Sequence, residues 1–600
     1  MPPHNDIPLP PSPSKLVDVL VVGAGPVGLL SASLLRQAGL TVRIFDVEFE
    51  PNHWGRGDNM HGRTMELLER AGLEEELLQS GARVENLKTY NNGKMVHSTS
   101  FVPDHVDSKY QYLLCVGQHI TESSLQSQLS SREVQVERPC TVSNVQENAT
   151  GKNSATHPLM ATVSNLHDQS TEQVECKYIL GCDGAHSDIR QQLGIVYDGG
   201  STEISGGVMD ALIRTNFPGK KDFCLLQGDT TKTVSFFPRE NGLTRIFVHF
   251  SENENALRKE QHNRNNIQME DIQREAKRAL MPSRLEFLGT LYWSTYVVGQ
   301  RQATTMDGMN ERVFLLGDAA HCQSPTLGQG INTGFGDAFN LIWKLSLVER
   351  GLLDKKVLKT YTMERHAVAK QVIDIDKVAA KAAASHQSED YCKVVQQSRL
   401  FTSGFGIYYP PVFNEQGESI NPLVHQGSEQ KKETGQRSMI GARAPNAKVI
   451  KATTGKKTRL FDGIDWFTFS ILVLAQDITS TDSLQHAEKV YDWVKSSAQH
   501  KLGSVVCTIA TTTIADSLDK FLDSATSLTK EKKTELLDHI VIDKLNRAQC
   551  HRDYGCQQGN SDDQKTPTLV IIRPDGYIGT ICHGDDMIPH AQQYLDQFCA

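Results

Sequence analysis

Six residues near the start of the chain restrict its fold more than any others. Gly23-Ala-Gly25-Pro-Val-Gly28 lies between the apolar run 17–22 and a helical pattern, 28–37, that stops at Ala38-Gly39. Glycines in that spacing allow a tight turn and leave backbone amides bare at a helix N-terminus, where the partial positive charge favours a phosphate. A second short strand, 41–45, then delivers Asp46, eighteen residues after Gly28. A carboxylate there can accept hydrogen bonds from a ribose diol and repels a 2′-phosphate. Residues 16–46 therefore read as a strand–helix–strand unit for a dinucleotide, with Glu48 as the alternative acid. The stretch 16–35 is apolar enough to suggest a membrane span, but Asp18 interrupts it and Gly23, Gly25, Pro26 and Gly28 break its middle.

Two distant segments extend this reading. In Tyr178-Ile-Leu-Gly-Cys-Asp183-Gly184-Ala-His-Ser-Asp-Ile-Arg190 an apolar strand runs into a turn that exposes an acid. By itself this is an ordinary turn. The second, Val313-Phe-Leu-Leu-Gly317-Asp318-Ala-Ala-His321, is followed by Ser324-Pro325-Thr-Leu-Gly-Gln-Gly330-Ile-Asn332-Thr-Gly334. A strand brings Asp318 to a loop edge, where its carboxylate suits ribityl hydroxyls. The glycine-rich stretch leaves amides free at another helix N-terminus, suited to the electron-rich pyrimidine side of a flavin.

Length and composition narrow the class. With 600 residues the chain is expected to hold two to four domains. Its formal charge of −9, without a basic block, argues against a nucleic-acid partner. The 12 cysteines include no C-x-x-C pair and read as reduced thiols of a cytoplasmic protein. Cys550, His551, Cys556, Cys582 and His583 match no standard ligand spacing, so no metal is expected. Helices are expected at about 62–80 and 333–350, and β-rich runs at 85–115 and 200–300. After a polar stretch the pattern again alternates strand and helix, with a hairpin turn at Pro574-Asp575-Gly576.

Together the three segments, in this order, resemble the class A flavoprotein monooxygenases, the para-hydroxybenzoate hydroxylase-like family, and specifically its phenol hydroxylase branch. Arg56-Gly-Asp58-Asn-Met-His-Gly-Arg63-Thr-Met-Glu66, Gln118-x-x-x-Glu122-x-x-Leu125 and Trp293-Ser-Thr-Tyr296-Val-Val-Gly-Gln300-Arg301 add to the match. The similarity runs from about 16 to 410 and extends more weakly to the end. It implies an α/β and α+β chain: a Rossmann-like FAD-binding domain interleaved with a β-sheet substrate domain, plus a C-terminal thioredoxin-like domain. The expected bounds are a tail at 1–15 and an FAD domain over 16–84, 116–200 and 301–410. A substrate domain would occupy 85–115 and 201–300, a linker 411–440, and the thioredoxin-like domain, without C-x-x-C, 441–600.

By the same resemblance Gly23, Gly25, Gly28 and Asp46 would hold the AMP half of FAD, and Arg56 and Gln118 its pyrophosphate and ribityl region. Asp318 would hold the ribityl chain, and backbone groups of Gly330, Ile331 and Asn332 would face the isoalloxazine. Asp183 belongs to a motif the family uses for both FAD and NAD(P)H. The sequence carries one G-x-G-x-x-G, not two, which favours transient docking of NADPH or NADH without a domain of its own. The implied reaction is hydroxylation of a phenolic substrate by O2 through a flavin C4a-hydroperoxide. Asp58 and Tyr296 would serve the substrate hydroxyl, and Pro325 would line the same cavity. An arginine that the family places upstream of the Tyr296 motif has no clear counterpart in 287–292. Rival outcomes on the same motifs are dearomatisation, epoxidation or ketone oxygenation of a larger polyketide-like phenol, and an FAD-dependent reductase or dehydrogenase. A homodimer without membrane attachment is the expected state.

Overall fold

The computed structural model describes residues 14–55, 57–149, 151–228, 231–250, 267–384, 388–416, 419–425, 439–514, 518, 528–545, 548–556 and 567–600. These form two compact units. The first comprises 1–53, 121–198 and 302–322; the second comprises 54–120, 199–301 and 323–600.

The first unit is built on a parallel sheet. Its strands run in the order Asp307–Gly308, Val313–Leu315, Thr171–Gly181, Leu16–Val22, Val42–Phe45 and Val136–Glu137. The pairs Val22/Gly181, Val22/Phe45 and Gly181/Leu315 are in parallel register, so four neighbouring strands end along one edge. An antiparallel hairpin, Cys140–Glu147 and Leu159–Asn165, adds to the long strand Thr171–Gly181. Val19, Leu20 and Val21 are fully buried, as continuous apolar runs in a parallel sheet require. The helix Pro26–Gln37 starts with proline, whose missing amide costs nothing at a first turn.

In the second unit, one sheet runs in the order Leu285–Ala303, Tyr197–Thr215, Leu243–Phe250, Thr231–Pro238, Phe223–Gly228, Asn86–Asn91 and Lys94–Ser100. Alternate residues of its strands face two different cores. Phe237 and Phe247 belong to one, and Phe236, Ile246 and Val248 to the other. The period-2 pattern of both strands demands this split. The helix expected over 62–80 is two helices, Gly62–Arg70 and Glu75–Ser80, separated where Gly72 takes a φ of +64°. Helices Gly330–Glu349, Thr360–Ala384 and Ser388–Thr402 complete the middle of the unit.

The C-terminal sheet pairs Ile540–Ile542, Val505–Thr511, Phe469–Gln476, Thr568–Ile572 and Ile578–His583 in that order. The first three strands are parallel, and the last two join antiparallel. This is the thioredoxin-like order, with the expected hairpin at its edge. Residues 54–84 and 323–410, expected with the dinucleotide turn, group with the second unit. Buried ion pairs hold them there: Arg443 reaches Glu66 at 2.5 Å, and Arg573 reaches Glu364 at 2.6 Å. The expected linker, 411–440, is in part core, since Leu423 and Val424 are fully buried and Asn421 donates to Glu364 at 3.0 Å. Residues 417–418 and 426–438 of it lie outside the described residues. No helix among the described residues is long and apolar enough to cross a membrane.

Candidate active site

The glycine turn sits on the edge where the parallel strands of the first unit end. Gly23 has a φ of +99°, which a side chain rarely tolerates, and a Cβ there would overlap the carbonyl of Cys182. A Cβ on Gly28 would overlap the carbonyl oxygen of Gly23, whereas one on Gly25 would meet nothing within 4 Å. The turn is thus packed tightly on one side and open on the other. The N-terminus of Pro26–Gln37 has no side-chain cap, so its first amides remain available. Asp46 braces the turn: its Oδ2 accepts from the Ala24 amide at 2.6 Å, and its Oδ1 pairs with Arg138 at 2.9 Å.

Both other motifs reach the same edge. Asp183 accepts from the Ile189 amide through Oδ2 at 3.1 Å, while its buried Oδ1 has no hydrogen-bond partner among the described residues. Burial raises its pKa. Arg190 joins the second motif to the third, donating to the carbonyls of Ala185 and Ala319, each at 2.9 Å. Asp318 is exposed at the strand end, and its carbonyl accepts from Tyr197 at 2.8 Å. Gly23, Asp46, Asp183 and Asp318 are therefore assembled within one unit. Parallel sheets place ligands at this edge.

The other expected cofactor residues belong to the second unit. Gln118 accepts from the Gly57 amide through Oε1 at 3.0 Å. Arg56 lies outside the described residues. The side chain of Asn332 is spent on structure. Its Oδ1 accepts from the His61 amide at 2.9 Å and Thr64 at 2.6 Å, and its Nδ2 donates to the carbonyls of Asn59 and Gly328. Backbone amides of Gly330, Ile331 and Asn332 are what this helix start can offer a ligand.

A partly enclosed cavity lies in the same unit. Phe101, Phe223, Phe237 and Phe247 wall it, and the glycine-rich loop closes it with Pro325, Thr326, Leu327 and Gly328. The phenyl rings form a ladder: Phe223 stacks on Phe237 at 4.5 Å, and Phe247 follows at 6.1 Å. Pro325 lines the cavity as expected from the sequence; Asp58 and Tyr296 are not among its lining residues. Tyr296 packs edge-on against Phe247 at 6.1 Å, where Gly206 leaves room for its ring end.

Asp58 is held instead between Arg245, at 3.1 Å, and Arg239, at 3.4 Å. The same arginines bind Asp210 and Glu240. Burial raises the pKa of Asp58, aided by those two carboxylates and opposed by the two guanidiniums. Sequence reading missed this cluster because its members come from three separate segments. The only signal was period-2 alternation, which sets Arg245 on the same sheet face as Phe247.

Residues 16–376 match the family described as FAD binding domain, and residues 407–600 match the phenol hydroxylase C-terminal dimerisation domain. A 3-hydroxybenzoate 4-monooxygenase of Comamonas testosteroni is 30% identical over 475 residues, covering 74% of this chain and 72% of its own. The chain belongs to the class A FAD-dependent aromatic monooxygenases.

A phenol 2-monooxygenase of Aspergillus fumigatus is 26% identical over 587 residues, covering 96% of this chain and 95% of its own. Among solved structures, an aklavinone-11 hydroxylase with FAD and aklavinone shares the fold. Its TM-score is 0.70 at 19% identity, over 97% of this chain and 98% of its own.

FAD is the cofactor of this monooxygenase, and the first unit fits it. The turn is closed to side chains at Gly23 and Gly28 and open at Gly25, which is what a pyrophosphate needs from the backbone. Of the cysteine and histidine cluster near the C-terminus, His551 is held by its neighbours. His551 hydrogen-bonds Asp543 through Nδ1 at 2.7 Å and takes the Gln476 amide on Nε2 at 3.1 Å.

Proposed function

We propose that this monooxygenase hydroxylates a phenolic aromatic substrate, with NADPH or NADH as the reductant and O2 as the oxygen source. The observation that carries the reading is the phenylalanine-walled cavity closed by the loop 325–328, which runs directly into the helix Gly330–Glu349. Gly23, Gly25, Gly28, Asp46 and Asp318 are the residues we assign to FAD in the first unit, and Gln118, Gly330, Ile331 and Asn332 in the second. Asp183 is our candidate for a residue shared by FAD and the nicotinamide. Bound FAD supplies hydride acceptance and activation of O2.

The protein's own part is to hold the ring and keep water away. The stacked phenylalanines offer a planar slot, and burial of an aromatic ring there is favourable by about 25 cal/mol per Å² of apolar surface. Tyr296 and Asp58 stand behind the wall. Tyr296 braces Phe247, and Asp58 anchors the arginine cluster beside it.

Mass spectrometry of products from a panel of single-ring and fused-ring phenols, with NADPH and 18O2, tests this reading. Hydroxylation predicts one labelled oxygen on the ring. Consumption of NADPH with no labelled product from any phenol replaces this reading with a reductase or dehydrogenase. In the same assay Tyr296→Ala, which removes the ring that braces Phe247, is expected to retain FAD and to yield less product per NADPH.

A further inference from the structure

Two polar side chains face this cavity with no partner of their own. His249 and Ser235 are 5% and 6% exposed, and among the described residues neither side chain makes a hydrogen bond. They lie on adjacent antiparallel strands, where Thr233 pairs with His249 and Ser235 with Phe247. Ser235 is therefore the diagonal neighbour of His249 on one sheet face, within reach of a shared ligand group. The cross-strand partner on the other side is Gly206, and a Cβ there would collide with the ring end of Tyr296. A polar notch thus interrupts a wall otherwise made of phenylalanine.

Most other polar groups of the cavity are spent on the protein. His61 meets Gln329 at 3.1 Å, Tyr391 donates to the Thr326 carbonyl at 3.1 Å, and Thr402 donates to Ser398 at 3.3 Å. Asn59 Oδ1 is itself buried without a partner. A buried polar group without a partner is costly, so a ligand that satisfies it gains selectively over one that cannot.

We propose that His249 and Ser235 form the hydroxyl-recognition subsite of the aromatic substrate, the imidazole accepting the ligand O–H and the serine hydroxyl donating to the ligand oxygen. This rests on the reading of the cavity as the substrate site. A phenol is both donor and acceptor, which is what a neutral imidazole and a serine together require. Burial lowers the pKa of His249 to about 4, so its ring is neutral and keeps one acceptor nitrogen.

The test is a binding titration of the FAD-loaded enzyme, followed by perturbation of the flavin absorbance. The probes are 3-methylphenol and the isostere 1,3-dimethylbenzene, which lacks the hydroxyl. His249→Leu and Ser235→Ala are each expected to weaken 3-methylphenol by about tenfold. The hydrocarbon should be left within about twofold, since it loses no hydrogen bond. His249→Gln, which keeps an acceptor, should recover part of the loss. Equal weakening of both probes, unchanged affinity for 3-methylphenol, or no binding of it by the wild type overturns the subsite. Should His249→Leu lose its flavin, Ser235→Ala carries the same comparison. Failure of the functional reading shows separately: wild-type enzyme would bind 3-methylphenol yet give no 18O-labelled product.

Discussion

Gly28 illustrates how one residue can decide cofactor retention. Its missing side chain is what lets the helix start press against the Gly23 carbonyl, so Gly28→Ala must push the turn open. We expect that variant to purify without the flavin absorbance band while its far-ultraviolet circular dichroism stays close to wild type. Two histidines set the acid limit in the same way. Burial lowers the pKa of His61 and of His249 to about 4. In the unfolded chain an imidazole takes its proton near pH 6.5, so between those values the unfolded state binds more protons. Stability therefore falls as pH drops through that window, by up to about 1.4 kcal/mol per pH unit for each ring. Thermal melts across the window check this. Glu66 adds to the loss only lower down: burial would raise its pKa, but Arg443 and Arg63 hold it below the usual carboxylate value.

Among the elements, the helices Gly330–Glu349 and Thr360–Ala384 are joined to the C-terminal sheet by charge as well as by packing. Glu364 takes both Arg573 nitrogens, at 2.6 and 2.9 Å, and Lys344 at 2.8 Å. Burial lowers the Lys344 pKa to about 8, partly restored by Glu364. Breaking a buried pair of this kind costs about 3–5 kcal/mol, because it leaves a charge without compensation. Arg573→Met, which strands Asp575 and leaves Glu364 with Lys344 as its one cation, is expected to lower the urea midpoint by that equivalent. A shift under about 1 kcal/mol would show that water reaches the cluster. None of this could be read in advance. Glu364 and Arg573 lie 209 positions apart, and each alone resembles a surface charge on its own element.

At the scale of the whole molecule, the C-terminal region matches a dimerisation domain, and residues 407–600 are where we place the homodimer contact. Sedimentation equilibrium should give twice the chain mass at micromolar concentration, and a monomer at that concentration would remove the proposal. Family, cofactor and the strand–turn–helix that meets the dinucleotide were legible in the linear chain. They depend on local chemistry: glycine spacing, a strand's apolar run, and an acid a fixed number of residues onward. Short periodic elements such as Leu16–Val22 and the hairpin around Asp575 were legible for the same reason. Tertiary structure alone decided which polar groups face the aromatic cavity. Asp58 had looked available for a substrate hydroxyl, but Arg239 and Arg245 claim it, while His249 and Ser235, unremarkable in the chain, are left facing the space. Such availability depends on what the rest of the fold has already satisfied, and no local pattern contains that count.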